Sequence, residues 1–453
     1  MEKRAGLGAW QVMEGGRLTM KAVQVGILGF GTVGSGVVKL IQENGALLER
    51  RLGAQIVIRR IADIDVTRAR NVDVDPAVLT TDAMAVIEDP AIDIVVELIG
   101  GRDAALRFCR EVLARKKHLV TANKALLSTH GLELYQTAAK QRVSIGFEAS
   151  VCGGIPLLRA VKEGLVGDRV RSIIGILNGT CNYILTKMTE SQRPFAEVLS
   201  EAQAKGYAEA NPSLDIDGID TAHKLQILAT LAFGAYVPLD RIHVEGIRRI
   251  DASDIEYARD LGYRIKLLAI AKQLNGELEA RVHPALIPED HLLASVGGVY
   301  NAVYVVGDAV GSLMFYGRGA GQMPTASAVV SDIVEIARSL LQDAPVRAAP
   351  LPQLSEHEAE VRDIALVRSC YYLRIMAIDK PGVLSKVAGI LGNNNISIVS
   401  VIQKGRQEQS AVPIVMMTHE AIEGDMQRSL KAIDHLDVVS QETMCLRVEG
   451  VTG

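Results

Sequence analysis

The sequence predicts an α/β chain in three parts: a parallel sheet covered by helices on both faces, an α+β domain, and a ferredoxin-like βαββαβ unit at the C-terminal end. Three observations predict it. Between residues 21 and 150 short apolar runs alternate with amphipathic stretches. Between 151 and 319 strands and helices mix without that rhythm. From residue 370 the periodicity reads β, α, β, β, α, β.

In the first part the strand-like runs are Ala22–Leu28, Ile56–Ala62, Ile94–Ile99, His118–Thr121 and Val143–Phe147. Helix-like segments separate them, which implies a parallel sheet covered on both faces. In the second part Arg169–Leu177 reads as a strand, and Phe195–Lys205 and Thr221–Phe233 read as helices. A helix over Pro324–Leu341 follows. Pro345, Pro350, Pro352 and a charged run to Asp363 then mark a linker, 345–369. The last part gives strands Tyr372–Ile378, Ile396–Gln403, Ala411–Thr418 and Val438–Val448, with helices Val383–Asn393 and Glu420–Ile433. Residues 1–20 mix charges with glycines and read as a disordered tail, with Met20 as an alternative start.

Composition excludes several classes. With 453 residues, about three domains is the prior. A net charge of −4 and 4% aromatics argue against a nucleic-acid partner. No apolar run is long enough for a membrane span, and no apolar core marks a secretory signal. Five scattered cysteines without C-x-x-C spacing argue against a disulfide framework or structural zinc, and favour a reducing, cytoplasmic setting.

The segment Val23-Gln-Val-Gly-Ile-Leu-Gly29-Phe30-Gly31-Thr32-Val33-Gly34 is a strand running through G-x-G-x-x-G into a helix. This is the dinucleotide-binding pattern of a Rossmann-like sheet: a tight turn at Gly29, close approach of a pyrophosphate at Gly31, close helix–strand packing at Gly34. The N–H groups of the helix start then face the phosphates. Asp63 and Asp65, after the second strand, are candidates for the ribose hydroxyl. Arg59, Arg60 and Arg68 could instead meet a 2′-phosphate. NAD versus NADP stays open, with the aspartates favouring NAD.

Further on, Glu209 to Gly218 is an acid-rich loop, and Asp217 is placed to cap the helix that follows. Asp220 and Lys224 fall at i and i+4 on one face of that helix. Lys124 lies just past the end of a strand, where ligands of open α/β sheets sit.

Val95-Val-Glu-Leu-Ile-Gly-Gly101, Val120-Thr-Ala-Asn-Lys124 and above all Ala202-x3-Gly206-Tyr-Ala-Glu209-Ala-Asn-Pro212-x2-Asp215-Ile-Asp-Gly218-Ile-Asp220-x3-Lys224 resemble homoserine dehydrogenases. Asn211 stands where that family usually has an acid. The resemblance runs from about residue 21 to 450. It implies NAD(P)-dependent interconversion of L-aspartate 4-semialdehyde and L-homoserine. An aldehyde that receives a hydride becomes an alkoxide and needs a proton, which an ammonium can give. Lys224 is the expected donor, oriented by Asp220 and assisted by Lys124. Glu209 and Asp215 are expected to bind the substrate ammonium, with Lys124 near substrate and cofactor.

The same resemblance implies a monovalent cation, Na+ or K+, on the Glu148 carboxylate and the Val151, Gly153 and Ile155 carbonyls. It implies that Gly321, in Gly317-Arg-Gly319-Ala-Gly321, touches the cofactor, and that 320–344 completes the dinucleotide domain. Residues 151–319 are then the substrate and dimerisation domain. Asn178-Gly-Thr180-Cys-Asn182-Tyr183 is also similar to the family and suits hydrogen bonding to an amino acid, or is a plain strand-to-helix turn. Asp379-Lys-Pro381-Gly382 feeding a helix resembles an ACT domain, so L-threonine is the expected effector and a homodimer or homotetramer the expected assembly. Two rivals are a non-catalytic sensor, which has no need of Lys124, Asp220 or Lys224, and an amine-releasing dehydrogenase, which liberates ammonia.

Overall fold

The computed structural model describes residues 10–12, 18–342, 358–403 and 411–450. They divide into two compact units, one within Met1–Gly167, Gln226–Tyr236 and Gly317–His357, the other within Asp168–Leu225, Val237–Tyr316 and Glu358–Gly453.

The first unit holds the parallel sheet, with strands β3 (Ala22–Leu28), β4 (Gln55–Ala62), β5 (Leu79–Thr80), β6 (Ile94–Glu97), β7 (His118–Thr121) and β8 (Ile145–Gly146) in the order β5-β4-β3-β6-β7-β8. β3 lies at the centre, so its carboxyl end, where the glycine loop begins, stands at the switch in strand order. Val25, Ile27, Ile94, Val96 and Val120 are fully buried, and Thr32–Glu43 and Gln322–Leu341 pack over them through Val37, Val38, Val329 and Ile333. Ahead of the sheet, β1 (Trp10–Val12) pairs antiparallel with β2 (Leu18–Met20). This corrects the expectation of a disordered tail for residues 10–12 and 18–20; the rest of that segment lies outside the described residues. The prolines of the expected linker lie outside the described residues.

The second unit is built on an 11-stranded sheet. Its first six strands are β9 (Val170–Ile176), β10 (His243–Val244), β11 (Tyr263–Leu274), β12 (Glu277–Pro288), β13 (Tyr300–Gly307) and β14 (Gly311–Arg318). The C-terminal strands are β15 (Arg368–Ile378), β16 (Ile398–Gln403), β17 (Ala411–Thr418), β18 (Ala421–Ile422) and β19 (Met444–Val448). The order β19-β15-β17-β16, with helices Val383–Asn393 and Glu423–Asp434, is the expected ferredoxin-like arrangement around its own core of Tyr371, Leu373, Val387, Met416 and Ile433.

The earlier and the C-terminal strands of this unit form one sheet. β19 pairs in parallel with β12, at Ala285↔Arg447 and Leu286↔Val448. The end of the expected linker is also tied down, since Leu278 N–H donates to Glu360 O (2.9 Å) and Arg362 N–H to Leu278 O (2.9 Å). Charge reinforces the seam. Arg281 of β12 pairs with Glu279 and Glu449, and Lys272 Nζ reaches Glu449 at 2.7 Å. Arg374 of β15 and Tyr372 OH (3.1 Å) both bond Asp254, which is fully buried. Among the described residues no helix is long and apolar enough to cross a membrane.

Burial works to raise the Glu449 carboxyl, but Arg281 and Lys272 outweigh it and hold the group down to about 2. A carboxyl held below its unfolded-state value contributes stability at neutral pH that is lost as pH falls from 4.5 towards 2. Acid titration followed by circular dichroism should therefore show Glu449→Gln destabilised at pH 7 by about 3–5 kcal/mol, with the difference from wild type narrowing across that window.

Candidate active site

The glycine loop is shaped by contacts that admit no side chain. Gly29 has φ +98°, and a Cβ there would stand 2.6 Å from the Leu98 backbone beyond β6. A Cβ on Gly34 would stand 2.1 Å from the Gly29 carbonyl oxygen, whereas around Gly31 nothing lies within 4 Å. The helix Thr32–Glu43 thus starts against the strand end, with the N–H groups of Thr32 and Val33 in its first turn and open space at Gly31. Asp63 stands just past β4, as expected, and its carboxylate is engaged inside the protein. Oδ2 accepts from the Phe30 N–H at 2.5 Å, Oδ1 accepts from Asp65 N–H at 2.9 Å, and Arg70 lies 3.4 Å away. The Arg70 guanidinium also covers the Phe30 ring at 4.5 Å. Asp65 caps its own turn, accepting from Thr67 and Arg68. Asp63 therefore braces the loop that Phe30 belongs to.

Two strands away, Glu97 ends β6 fully buried, and burial raises its carboxyl above the ordinary range. It accepts from Thr121 Oγ1 at 2.6 Å and from Ile99 N–H at 2.9 Å. Thr121 Oγ1 accepts from Asn123 N–H, and Asn123 caps the helix Lys124–Gln141 through Leu126 N–H at 3.1 Å. This chain fixes the half-buried Lys124 at the first position of that helix. Sequence reasoning missed Glu97. An acid inside the apolar run Val95-Val-Glu97-Leu-Ile was the signal, since a buried carboxylate needs donors.

In the second unit the acid-rich loop and the strand end of β9 converge. Lys224 Nζ donates to Asp220 Oδ2 and to the Leu177 carbonyl, each at 2.7 Å. The Lys224 and Asp220 side chains are only 11% and 9% exposed, unlike an ordinary surface i,i+4 pair. Asn178 Nδ2 donates to Asp215 Oδ1 at 2.7 Å and to Asp220 Oδ2 at 2.9 Å. Asp215 is half-buried, while Glu209 is exposed, its carbonyl accepting from Gln203 Nε2 at 3.1 Å. The expected cap at Asp217 is corrected. The helix is Ile219–Phe233, with Gly218 at φ +84° in front of it, and Asp217 pairs with Arg248 instead.

The loop after β8 has Glu148 accepting Leu158 N–H (2.9 Å) and Arg159 N–H (2.8 Å). Burial raises the Glu148 carboxyl, and it raises the neighbouring Asp332 to about 8. Val151, Gly153 and Ile155 follow in an irregular turn, and the Ile155 carbonyl accepts from Leu157 N–H at 2.7 Å. Gly154 N–H donates to Arg318 O at 3.0 Å, which seats this loop against the Gly317–Gly321 segment, where Gly321 has φ +123°. A cavity of about 450 Å³ opens beside Glu148, Arg159, Asp332 and Glu335, away from the glycine loop. Among the described residues no group of three or more His, Cys, Asp or Glu side chains could hold a metal ion.

Comparison with known proteins matches three family models: the homoserine dehydrogenase NAD binding domain over residues 29–148, homoserine dehydrogenase over 156–334, and the ACT domain over 371–436. The chain is 45% identical to the homoserine dehydrogenase of Pseudomonas aeruginosa over 437 residues, covering 95% of this chain and 99% of that protein. Among solved structures it is similar to a homoserine dehydrogenase from Thiobacillus denitrificans, with TM-score 0.88, 42% identity and coverage of 95% and 98% of the two chains. A hyperthermophilic archaeal homoserine dehydrogenase in complex with NADPH aligns with TM-score 0.58 and 26% identity, over 70% of this chain and 97% of that one.

The missing side chain at Gly34 gives a direct check on the loop. Gly34→Ala forces a methyl group onto the Gly29 carbonyl, a backbone atom that cannot move aside cheaply. Overpacking of this kind costs about 1–3 kcal/mol. Calorimetry should show a lowered Tm, and dinucleotide titration a dissociation constant raised by roughly 10-fold or more.

Proposed function

The chain belongs to the homoserine dehydrogenase family, and from that premise we propose how its residues carry the NAD(P)-dependent interconversion of L-aspartate 4-semialdehyde and L-homoserine. Lys224 is the proton donor to the oxygen of the reduced aldehyde and, in reverse, the acceptor from the alcohol. The observation that carries this reading is the clamped ammonium: Nζ is held between the Leu177 carbonyl and Asp220 in a largely buried setting. A donor fixed before the reaction has little reorganisation to perform as charge develops on the oxygen. Asp220 orients it, Asp215 and Glu209 take the substrate ammonium, and Lys124 assists from the end of β7.

Bound NAD(P) supplies the hydride. The residues that would hold it are Gly29 to Gly34, with the open space at Gly31 for the pyrophosphate, together with Asp63, Lys124 and Gly321. Asp63 retains acceptor capacity for a ribose hydroxyl on oxygens that already bond Phe30 and Asp65. A Na+ or K+ ion on Glu148, Val151, Gly153 and Ile155 is supported by a buried carboxyl, held by the Leu158 and Arg159 N–H groups, in the irregular loop that carries those three carbonyls. Edge strand β16, with Val399 54% and Val401 40% exposed, supports assembly into a homodimer or homotetramer. Five free cysteines, three of them buried, support a reducing, cytoplasmic setting.

The ACT domain implies an amino-acid effector, and L-threonine, a product of the pathway that homoserine feeds, is the proposed one. The fold supplies a route. Arg447 of β19 bonds Glu423 of the ACT helix at 2.7 Å and Glu245 at 2.9 Å. Two residues on, Ile247 N–H donates to Ile216 O at 2.8 Å, and a Cβ on Gly246 would stand 2.3 Å from that same oxygen. A shift of β19 thereby reaches the loop that carries Asp215.

Steady-state rates with L-homoserine test the donor. Lys224→Ala should lose about 10²-fold or more in kcat while keeping its fold; a variant within a few-fold of wild type reassigns the proton. For regulation, threonine should inhibit the full chain, and Glu245→Gln should weaken that inhibition several-fold with basal kcat within about two-fold. Equal inhibition of both proteins contradicts the route.

A further inference from the structure

We propose that Asn178 is a positioning residue for the reaction, holding the Asp215 and Asp220 carboxylates in one arrangement around Lys224; this rests on the reading of Lys224 as proton donor. Asn178 is 4% exposed and sits between β9 and the helix Gly179–Ser191. Its Oδ1 accepts from Cys181 N–H at 2.8 Å, which caps that helix and fixes which way the amide faces. Nδ2 must then point to the carboxylates, and its two hydrogens match two acceptors: Asp215 Oδ1 at 2.7 Å and Asp220 Oδ2 at 2.9 Å. Asp220 Oδ2 also accepts from Lys224 Nζ, and Nζ donates to the carbonyl of Leu177, the residue before Asn178. The hydrogen bonds close into a ring that begins and ends at one turn of chain.

Capping does not explain the choice of asparagine. Serine, aspartate and asparagine cap about equally well, because a cap needs only an acceptor. What asparagine adds is the donor pair, and here two carboxylates receive it. Without it Asp215 and Asp220 would face each other as like charges with less to hold them. The charged and titratable groups around the amide are Asp215 and Asp217 from the segment after Pro212, Asp220 and Lys224 from Ile219–Phe233, and Cys181 from its own helix. Burial, reinforced by Asp215 and Asp220, pushes the Cys181 thiol well up, so it stays neutral.

Asn178→Asp separates the two roles, since it keeps the cap acceptor and replaces the donor with a third carboxylate. Such a carboxyl donates only when protonated, and then a single hydrogen to one of the two acids. We expect kcat/KM, relative to wild type at the same pH, to fall by about 10-fold or more near pH 8 and to recover in part near pH 6. Asn178→Ser keeps the cap with nothing that reaches both acids, and should lose about 10-fold at either pH. Should the aspartate variant fold poorly, judged by its Tm, the serine variant decides. Wild-type rates and pH profiles in these variants would overturn the positioning role. Lys224→Ala measured in parallel separates the two readings: if it is inactive while the Asn178 variants match wild type, only the Asn178 role fails. If it is fully active, the donor assignment fails.

Discussion

An ammonium taken out of water has to be compensated at once, and in this chain that requirement organises the substrate domain. Lys224 is nine-tenths buried, and desolvating an isolated ammonium costs several kcal/mol. The cost is offset by one carboxylate and one backbone carbonyl, both at 2.7 Å. Asp220 is itself buried, so it too needs donors, and it finds them in Lys224 and Asn178. Each member satisfies the next. The helix Ile219–Phe233 supplies the acid and the lysine from adjacent turns, and β9 supplies the carbonyl and the amide from its end.

The same logic recurs where the domains join. The ACT strand β19 lies along β12, and the charges beneath that seam are paired in a network of Glu279, Arg281, Lys272 and Glu449. Arg447 and Glu423 form a second buried pair that extends to Glu245. Removing one partner from such a network leaves a buried charge behind, so the network constrains the seam to one register. A C-terminal domain fixed in this way can move only as its charge pairs permit.

Much of this was legible in the sequence, for physical reasons. β3 and β7 occupy the residues expected, because strands buried on both faces leave near-continuous apolar runs. The proximity of Asp220 and Lys224 was legible because helical spacing is local. Contacts without a local signature were not. Asn178 meets Asp215 and Asp220 across 37 and 42 residues, and nothing in its turn announces which acids will face it. The pairing of β12 with β19 joins residues far apart in the chain, so no periodicity reveals it. Asp217 looked like a helix cap because the alternative partner, Arg248, lies 31 residues on.

The mechanism stands on the Lys224 ammonium reaching the oxygen borne by the carbon that is oxidised or reduced. A crystal structure with L-homoserine and the dinucleotide bound tests it most directly. Lys224 Nζ is expected within about 3.2 Å of the substrate hydroxyl oxygen, with its bonds to Asp220 and Leu177 intact. A hydroxyl that instead meets Lys124 or a water molecule, with Lys224 beyond hydrogen-bonding reach, would contradict it.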